Sequence, residues 1–120
     1  MSVEHREHAR RWLDAWNAHD LDAILDCYAE DVDFAAPTVV RRFGRPDGRL
    51  TGRAELREHF GKGLAMAPGL RFTEVALLTG PGGYALLYRR ENGNLVTDVV
   101  ELDAERRAAR VRAYYAAEQP

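Results

Sequence analysis

The chain has 120 residues, the usual size of one domain and too short for two ordinary ones, so a single domain over 1–120 is expected. Its 46% apolar content is enough for a core, and a formal net charge of −2 excludes the basic footprint of a nucleic-acid binder. No apolar run approaches the roughly 18 residues of a membrane span, and the charged N-terminus lacks the apolar centre of a signal peptide. A cytoplasmic protein with one buried thiol, Cys27, is expected, with neither a disulfide framework nor a cysteine-based zinc site.

Val3, Ala9, Trp12, Leu13 and Trp16 recur at helical spacing, with Glu4, Arg6, Glu7, Arg10 and Arg11 on the opposite face. This predicts an amphipathic helix of about four turns that stops near Asn17 to Asp20. Asp20 suits the N-cap of a second, short helix whose inner face is Leu21, Ile24, Leu25 and Tyr28. From Val32 the pattern alternates, with Phe34 and Ala36 on the side of Val32, and Pro37 closes a short strand. The segment 38–51 carries Arg41, Arg42, Arg45 and Arg49 among Gly44, Pro46, Asp47 and Gly48, and reads as a long loop or loose hairpin. Loops of that length inside a compact domain are often functional. A third helix follows from Arg53, with Leu56, Phe60 and Leu64 along one face.

The remainder is strand signal: 70–79, a turn at 80–83, then 84–91, a type I′ turn at Asn92-Gly93, then 95–103 and 109–116. Three helices interrupted by one strand and followed by a four-stranded meander imply an α+β fold, with helices gathered on one face of an antiparallel sheet.

That order and several local strings resemble the NTF2-like superfamily, in its SnoaL-like and ketosteroid-isomerase-like branch. The strings are Trp12-Leu13-Asp14-Ala15-Trp16-Asn17-Ala18-His19-Asp20, then Tyr28-Ala29-Glu30-Asp31-Val32 with Pro37 closing the strand, Leu50-Thr51-Gly52-Arg53, Asp98-Val99-Val100-Glu101-Leu102-Asp103, and Arg112-Ala113-Tyr114-Tyr115. The resemblance implies a cystatin-like cone: a curved antiparallel sheet wrapped around three helices of the N-terminal half, with an internal pocket for a small hydrophobic molecule. It also implies a homodimer formed through the outer sheet face. The fold itself hosts isomerases, cyclases, dehydratases and non-catalytic binders, so function has to be argued from the site.

Asp98 is the first candidate. It lies in Leu95-Val96-Thr97-Asp98-Val99-Val100, apolar on both faces. If it points inward beside Val96 and Val100, burial disfavours its charged form and raises its pKa. A carboxylic acid held neutral near pH 7 can donate a hydrogen bond to a carbonyl or lend a proton. The ketosteroid isomerases place such an acid at the matching position. The alternative is that Asp98 pairs with Arg89 or Arg112, or sits at an edge.

The resemblance also shows departures. The isomerase's general base corresponds to Ala36, its oxyanion-hole tyrosine to Trp12, and a supporting tyrosine to Phe60. Alanine takes no proton and an indole N–H only donates, so steroid isomerisation by that route is not expected. Of that polar set Tyr28 and Asp98 remain. Trp12, Trp16, Tyr28, Phe34 and Phe60 either line the pocket or fill the core, with Ala36, Val96, Val100 and Tyr115 as further wall. His59 is either a base partnered with Asp98 or a surface residue.

His5 and His8, beside Glu4 and Glu7, lack a third metal ligand and read as an exposed charged helix face; no metal and no cofactor are expected. The arginines of 38–51 would suit a carboxylate or phosphate at the pocket mouth, but a solvated loop is the default. The 80–83 turn is no phosphate loop, since no helix follows it. The functional expectation is a cofactor-free acid/base enzyme of isomerase, cyclase or dehydratase type on a hydrophobic, carbonyl-bearing substrate. Asp98 would be the acid/base, with Tyr28 or Trp12 donating to an oxyanion. The rival is a non-catalytic binding or dimerising module, favoured by the missing base.

Overall fold

A computed structural model describes residues 2–119. In chain order the elements are α1 (Ser2–Asn17), α2 (Leu21–Asp26), β1 (Tyr28–Ala35), α3 (Pro37–Phe43), β2 (Arg49–Thr51), α4 (Arg53–Met66), β3 (Thr73–Gly80), β4 (Gly83–Arg89), β5 (Leu95–Leu102) and β6 (Ala108–Tyr115). The strands form one sheet in the order β2-β1-β6-β5-β4-β3. The α+β expectation and the terminal meander hold. The sheet is mixed rather than antiparallel, however, because β1 runs parallel to β6, with Phe34 opposite Val111 and Ala35 opposite Arg112. Between β1 and the meander the chain passes through α3, β2 and α4, and a parallel neighbour is possible only with a long connection of this kind.

The inner sheet face carries Val32 and Phe34 of β1, Tyr84, Leu86 and Tyr88 of β4, Val96, Asp98 and Val100 of β5, and Val111 and Ala113 of β6, all buried. Helices α1, α2 and α4 pack onto it. Burying a large apolar side chain of this kind contributes roughly 1.5–3 kcal/mol of transfer free energy.

Helix α1 buries His5, His8, Ala9, Trp12, Ala15 and Trp16, an unbroken i, i+3, i+4 stripe, whereas Val3 is 69% exposed. His5 and His8 therefore face the core, correcting the expectation of an exposed face. His8 donates from Nε2 to the Cys27 carbonyl at 2.8 Å and accepts at Nδ1 from the Tyr84 hydroxyl at 2.7 Å. Because a carbonyl only accepts, these partners fix the neutral tautomer. Burial lowers the pKa of His8, which keeps it so.

Asp20 caps α2 as expected, its carboxylate accepting from the Ala23 N–H. The helix ends earlier than expected and β1 begins at Tyr28, which pairs with Ala108.

The segment expected as a loop holds α3 and β2. Pro37 stands at the first turn of α3, where its fixed φ is already helical and its missing N–H is no loss, and Gly44 ends the helix at φ 66°. Val39 is the buried residue of α3, so no apolar stripe announced it. Gly48, at φ 65°, lets β2 return close to the Ala36 backbone: a Cβ there would lie 2.7 Å from the Ala36 carbonyl oxygen.

The β4–β5 connection also differs. Arg90 N–H donates to Asn94 O at 2.9 Å and Gly93 N–H to Arg90 O at 2.9 Å, with φ 86° at Gly93. This is a three-residue loop ending on a left-handed glycine, not a two-residue I′ turn. It sets Leu86 opposite Asp98.

Candidate functional site

The concave sheet face and helices α1, α3 and α4 enclose a cavity of about 340 Å³. Trp12, Trp16, Tyr28, Phe34, Ala36, His59, Phe60, Asp98 and Tyr115 stand on its wall. Val96 and Val100 do not. They share the inward face of β5 with Asp98 but are covered by their cross-strand neighbours, Tyr88 and Tyr115 beside Val96, Tyr84 and Val111 beside Val100. The cavity touches only the middle of that strand.

Asp98 is 5% exposed. Its Oδ1 accepts a hydrogen bond from the Tyr88 hydroxyl at 3.1 Å. Neither arginine considered for it is engaged there: Arg112 pairs with Asp33 at 3.1 Å, and Arg89 donates to the Gly93 carbonyl. With no cation pairing with it among the described residues, burial pushes the carboxyl up to about 7, and the Tyr88 hydrogen bond pulls the other way. Burial thus shifts the titration of Asp98 toward neutrality.

Trp12 donates from Nε1 to the Tyr28 hydroxyl oxygen at 2.8 Å, so the expected Trp12 donor is spent inside the protein. Tyr28 has its pKa raised well above the usual phenol, first by burial and then by the charge of Asp98. It stays a protonated donor, and its own proton has no acceptor among the described residues. Around these groups the rings interlock: Trp12 stacks on Phe72 at 5.6 Å and meets Tyr88 edge-on at 5.2 Å, and Trp16 meets Phe60 edge-on at 4.9 Å. The Trp16 Nε1 is buried without a hydrogen-bond partner among the described residues.

His59 is buried, not on the surface, and its ring is already committed. Arg42 donates from Nη1 to Nδ1 at 2.9 Å, so the proton is on Nε2, which reaches the Thr38 hydroxyl at 3.2 Å. Burial, and then the Arg42 charge, pushes its pKa down to about 4. The expected pairing with Asp98 is absent, and His59 serves as a rest for the Arg42 guanidinium.

Two of the four arginines in 38–51 follow the solvated expectation: Arg45 pairs with Glu55 at 2.6 Å and Arg49 with Asp33 at 3.0 Å, both partly exposed. Arg41 and Arg42 instead stand on the cavity wall, with Arg90. Sequence reasoning missed Tyr88 and Phe72 as well. The signal for Tyr88 was present: Tyr84, Leu86 and Tyr88 alternate on one strand, two residues apart. Among the described residues no group of three His, Cys, Asp or Glu side chains converges as a metal site, and no helix is long and apolar enough to cross a membrane.

A family model for SnoaL-like domains matches residues 9–118. A SnoaL-like protein of unknown function from Burkholderia thailandensis is 37% identical, with a TM-score of 0.92 and 98% of each chain covered. A provisionally named isomerase of the SnoaL-like family from Agrobacterium tumefaciens is 20% identical, with a TM-score of 0.75, covering 96% of this chain and 99% of its own. A provisionally named ketosteroid isomerase from Kribbella flavida is 22% identical, with a TM-score of 0.76, covering 98% of this chain and 83% of its own. These last two share the fold. No match was found among curated proteins. The architecture is that of the NTF2-like cone, and the chain belongs to the SnoaL-like family.

Proposed function

We propose that this protein is a cofactor-free acid/base enzyme that relocates a proton next to a carbonyl group of a small, largely apolar molecule. The observation that supports it most is the deep carboxyl, Asp98, buried on the wall of an aromatic cavity with one neutral partner and a pKa pushed up to about 7. A group titrating near the working pH is well matched to both giving and taking a proton. The ionised carboxylate takes a proton from the carbon α to the carbonyl, and the electron pair of that C–H bond moves onto the carbonyl oxygen. Tyr28 donates to the resulting oxyanion, its O–H polarised because its oxygen already accepts from Trp12. Neutral Asp98 then returns the proton, to a different carbon in an isomerisation or to a departing hydroxyl in a dehydration. With Ala36 at the position of the isomerase base, one carboxyl performs both halves.

The test is deuterium exchange. Wild-type protein is incubated with cyclic ketones such as 2-tetralone in D2O and the α-proton signals are followed by NMR. Exchange above background should rise with pH through about 7, the carboxylate being the active form, and Asp98→Asn should lower it by about 100-fold or more. Background exchange in the wild type, or full activity in the variant, overturns the reading. Retention of a ketone without exchange would support the rival reading, a binding module, which Ala36 favours.

A homodimer through the outer sheet face is part of the same proposal. Leu78, Val99 and Tyr114 are exposed there at 59%, 40% and 58%, on three strands of the convex side. Leu78→Glu should convert a dimer to a monomer in light scattering, whereas a monomeric wild type would refute the dimer.

A further inference from the structure

The mouth of the cavity is marked by the exposed wall residues Arg41, Met66, Glu91 and Asn92. It has a charge character opposite to its depth. Of the two acids on the wall, Asp98 lies deep, and Glu91 stands 3.8 Å from Arg90 while accepting from the Arg71 N–H. Arg41 and Arg42 make no ion pair among the described residues, although eight other pairs tie up eight of the fourteen remaining arginines. Arg42 is held in place by uncharged groups: Nη1 donates to His59 Nδ1 and to the His59 carbonyl, and Nη2 leans on the Met66 sulfur at 3.8 Å. Those contacts leave Nε–H and a second Nη2–H without an acceptor among the described residues. A guanidinium fixed by neutral partners beside a cavity, with its charge unanswered, is a preorganised anion receptor.

We propose that the ligand is an aromatic or polycyclic carboxylate, its acid group gripped at the rim by Arg41 and Arg42 and its ring system lying inward among Trp12, Phe72 and Phe60. This rests on the reading of Asp98 given above and adds the orientation: the anionic end outward, the reacting carbonyl end toward Asp98. It also separates the two charges, since a carboxylate next to Asp98 would oppose its ionisation. The cavity of about 340 Å³ lies at the small end of ligand pockets, which fits a body of few rings.

The experiment is a matched pair, 2-naphthoate against its neutral isostere 2-naphthamide, titrated calorimetrically into the full chain at low salt. The wild type should bind the carboxylate at least about tenfold more tightly, and 0.5 M salt should shrink that ratio. Arg41→Gln, exposed on α3, and Arg42→Gln should each reduce the ratio to about threefold or less while leaving amide affinity unchanged. Arg42→Lys should keep part of it as a point charge. Equal affinities, a preference for the amide, no binding of the carboxylate, or a preference untouched by both glutamine variants overturns the proposal. Asp98→Asn separates the two readings: it should preserve the carboxylate preference even as it removes deuterium exchange. A preserved preference with unchanged exchange would sink the catalytic role and leave the anion site standing, and exchange without the preference would do the reverse.

Discussion

Asp98 and Asp33 are carboxylates of one sheet, and their surroundings drive them in opposite directions. Asp33, on β1, accepts from Arg112 and Arg49, which hold its carboxyl below the usual range. Asp98, on β5, has a tyrosine and aromatic walls, and burial lifts it to about 7. Val99, its chain neighbour, is paired directly opposite Arg112 in the sheet. One position along a strand reverses the face, so the same arginine that neutralises Asp33 cannot serve Asp98. The lesson is that a carboxylate's chemistry is assigned by which face its register gives it, not by how close the nearest cation lies in sequence or along the sheet.

The largest effect expected from breaking this contrast is on Asp98. A group whose folded pKa is raised contributes stability that is fully present below its unfolded value, near 3.8, and lost as pH rises through about 7. The full span is on the order of 4 kcal/mol. Asp98→Asn should therefore melt several degrees above wild type at pH 8 and near it at pH 4, in parallel thermal scans. Identical pH slopes would show that the carboxyl is not dry.

A smaller and sharper change is Tyr88→Phe. It deletes the hydrogen bond that favours the charged form, so the Asp98 midpoint should move above about 7 in a carboxyl 13C titration, with about 1 kcal/mol lost in denaturant melts. A midpoint that falls would mean that Tyr88 does not support the carboxylate.

The smallest is Arg112→Met. Asp33 keeps Arg49 but loses its better-buried partner, so its midpoint should rise toward 3.8 while that of Asp98 stays fixed. The stability that Asp33 adds is present above its unfolded pKa and lost as pH falls through the folded one. The pH-dependent part of the loss should be about 1 kcal/mol or less at pH 7 and should fade as pH falls through the folded midpoint of Asp33. Movement of the Asp98 midpoint would reveal a coupling between the two carboxyls.

Much of this was readable from residues. The α1 stripe around Trp12 and Trp16, the Asp20 cap and the meander follow from period and punctuation, whereas Asp98, in a strand apolar on both faces, is singled out by the family resemblance. Three things were not. His5 and His8 belong to the buried stripe of α1, but imidazoles beside glutamates look polar, and only the fold brings Cys27 and Tyr84 to His8 as partners. Helix α3 buries too little to show an apolar face, although Pro37 and Gly44 mark its ends.

The third is a count of one. A two-residue turn at Asn92-Gly93 would set Leu87 opposite Asp98 and bring Arg89 onto its face, whereas the three-residue loop sets Leu86 there and brings Tyr88 inward instead. The hydrogen-bond partner of the key acid, and with it the absence of a salt bridge, hangs on a single loop residue. The arginines of 38–51 suit an anion clamp, but an arginine-rich stretch gives no hint of which members will find acids and which will reach the mouth.

The chain has two tryptophans, Trp12 and Trp16, and both line the hollow. Intrinsic fluorescence is thus a built-in gauge of occupancy: a guest that wets, dries or stacks on these indoles changes their emission, while events elsewhere on the molecule leave it dark. Candidate ligands can be ranked in a cuvette, without label or assay, before any reaction is known.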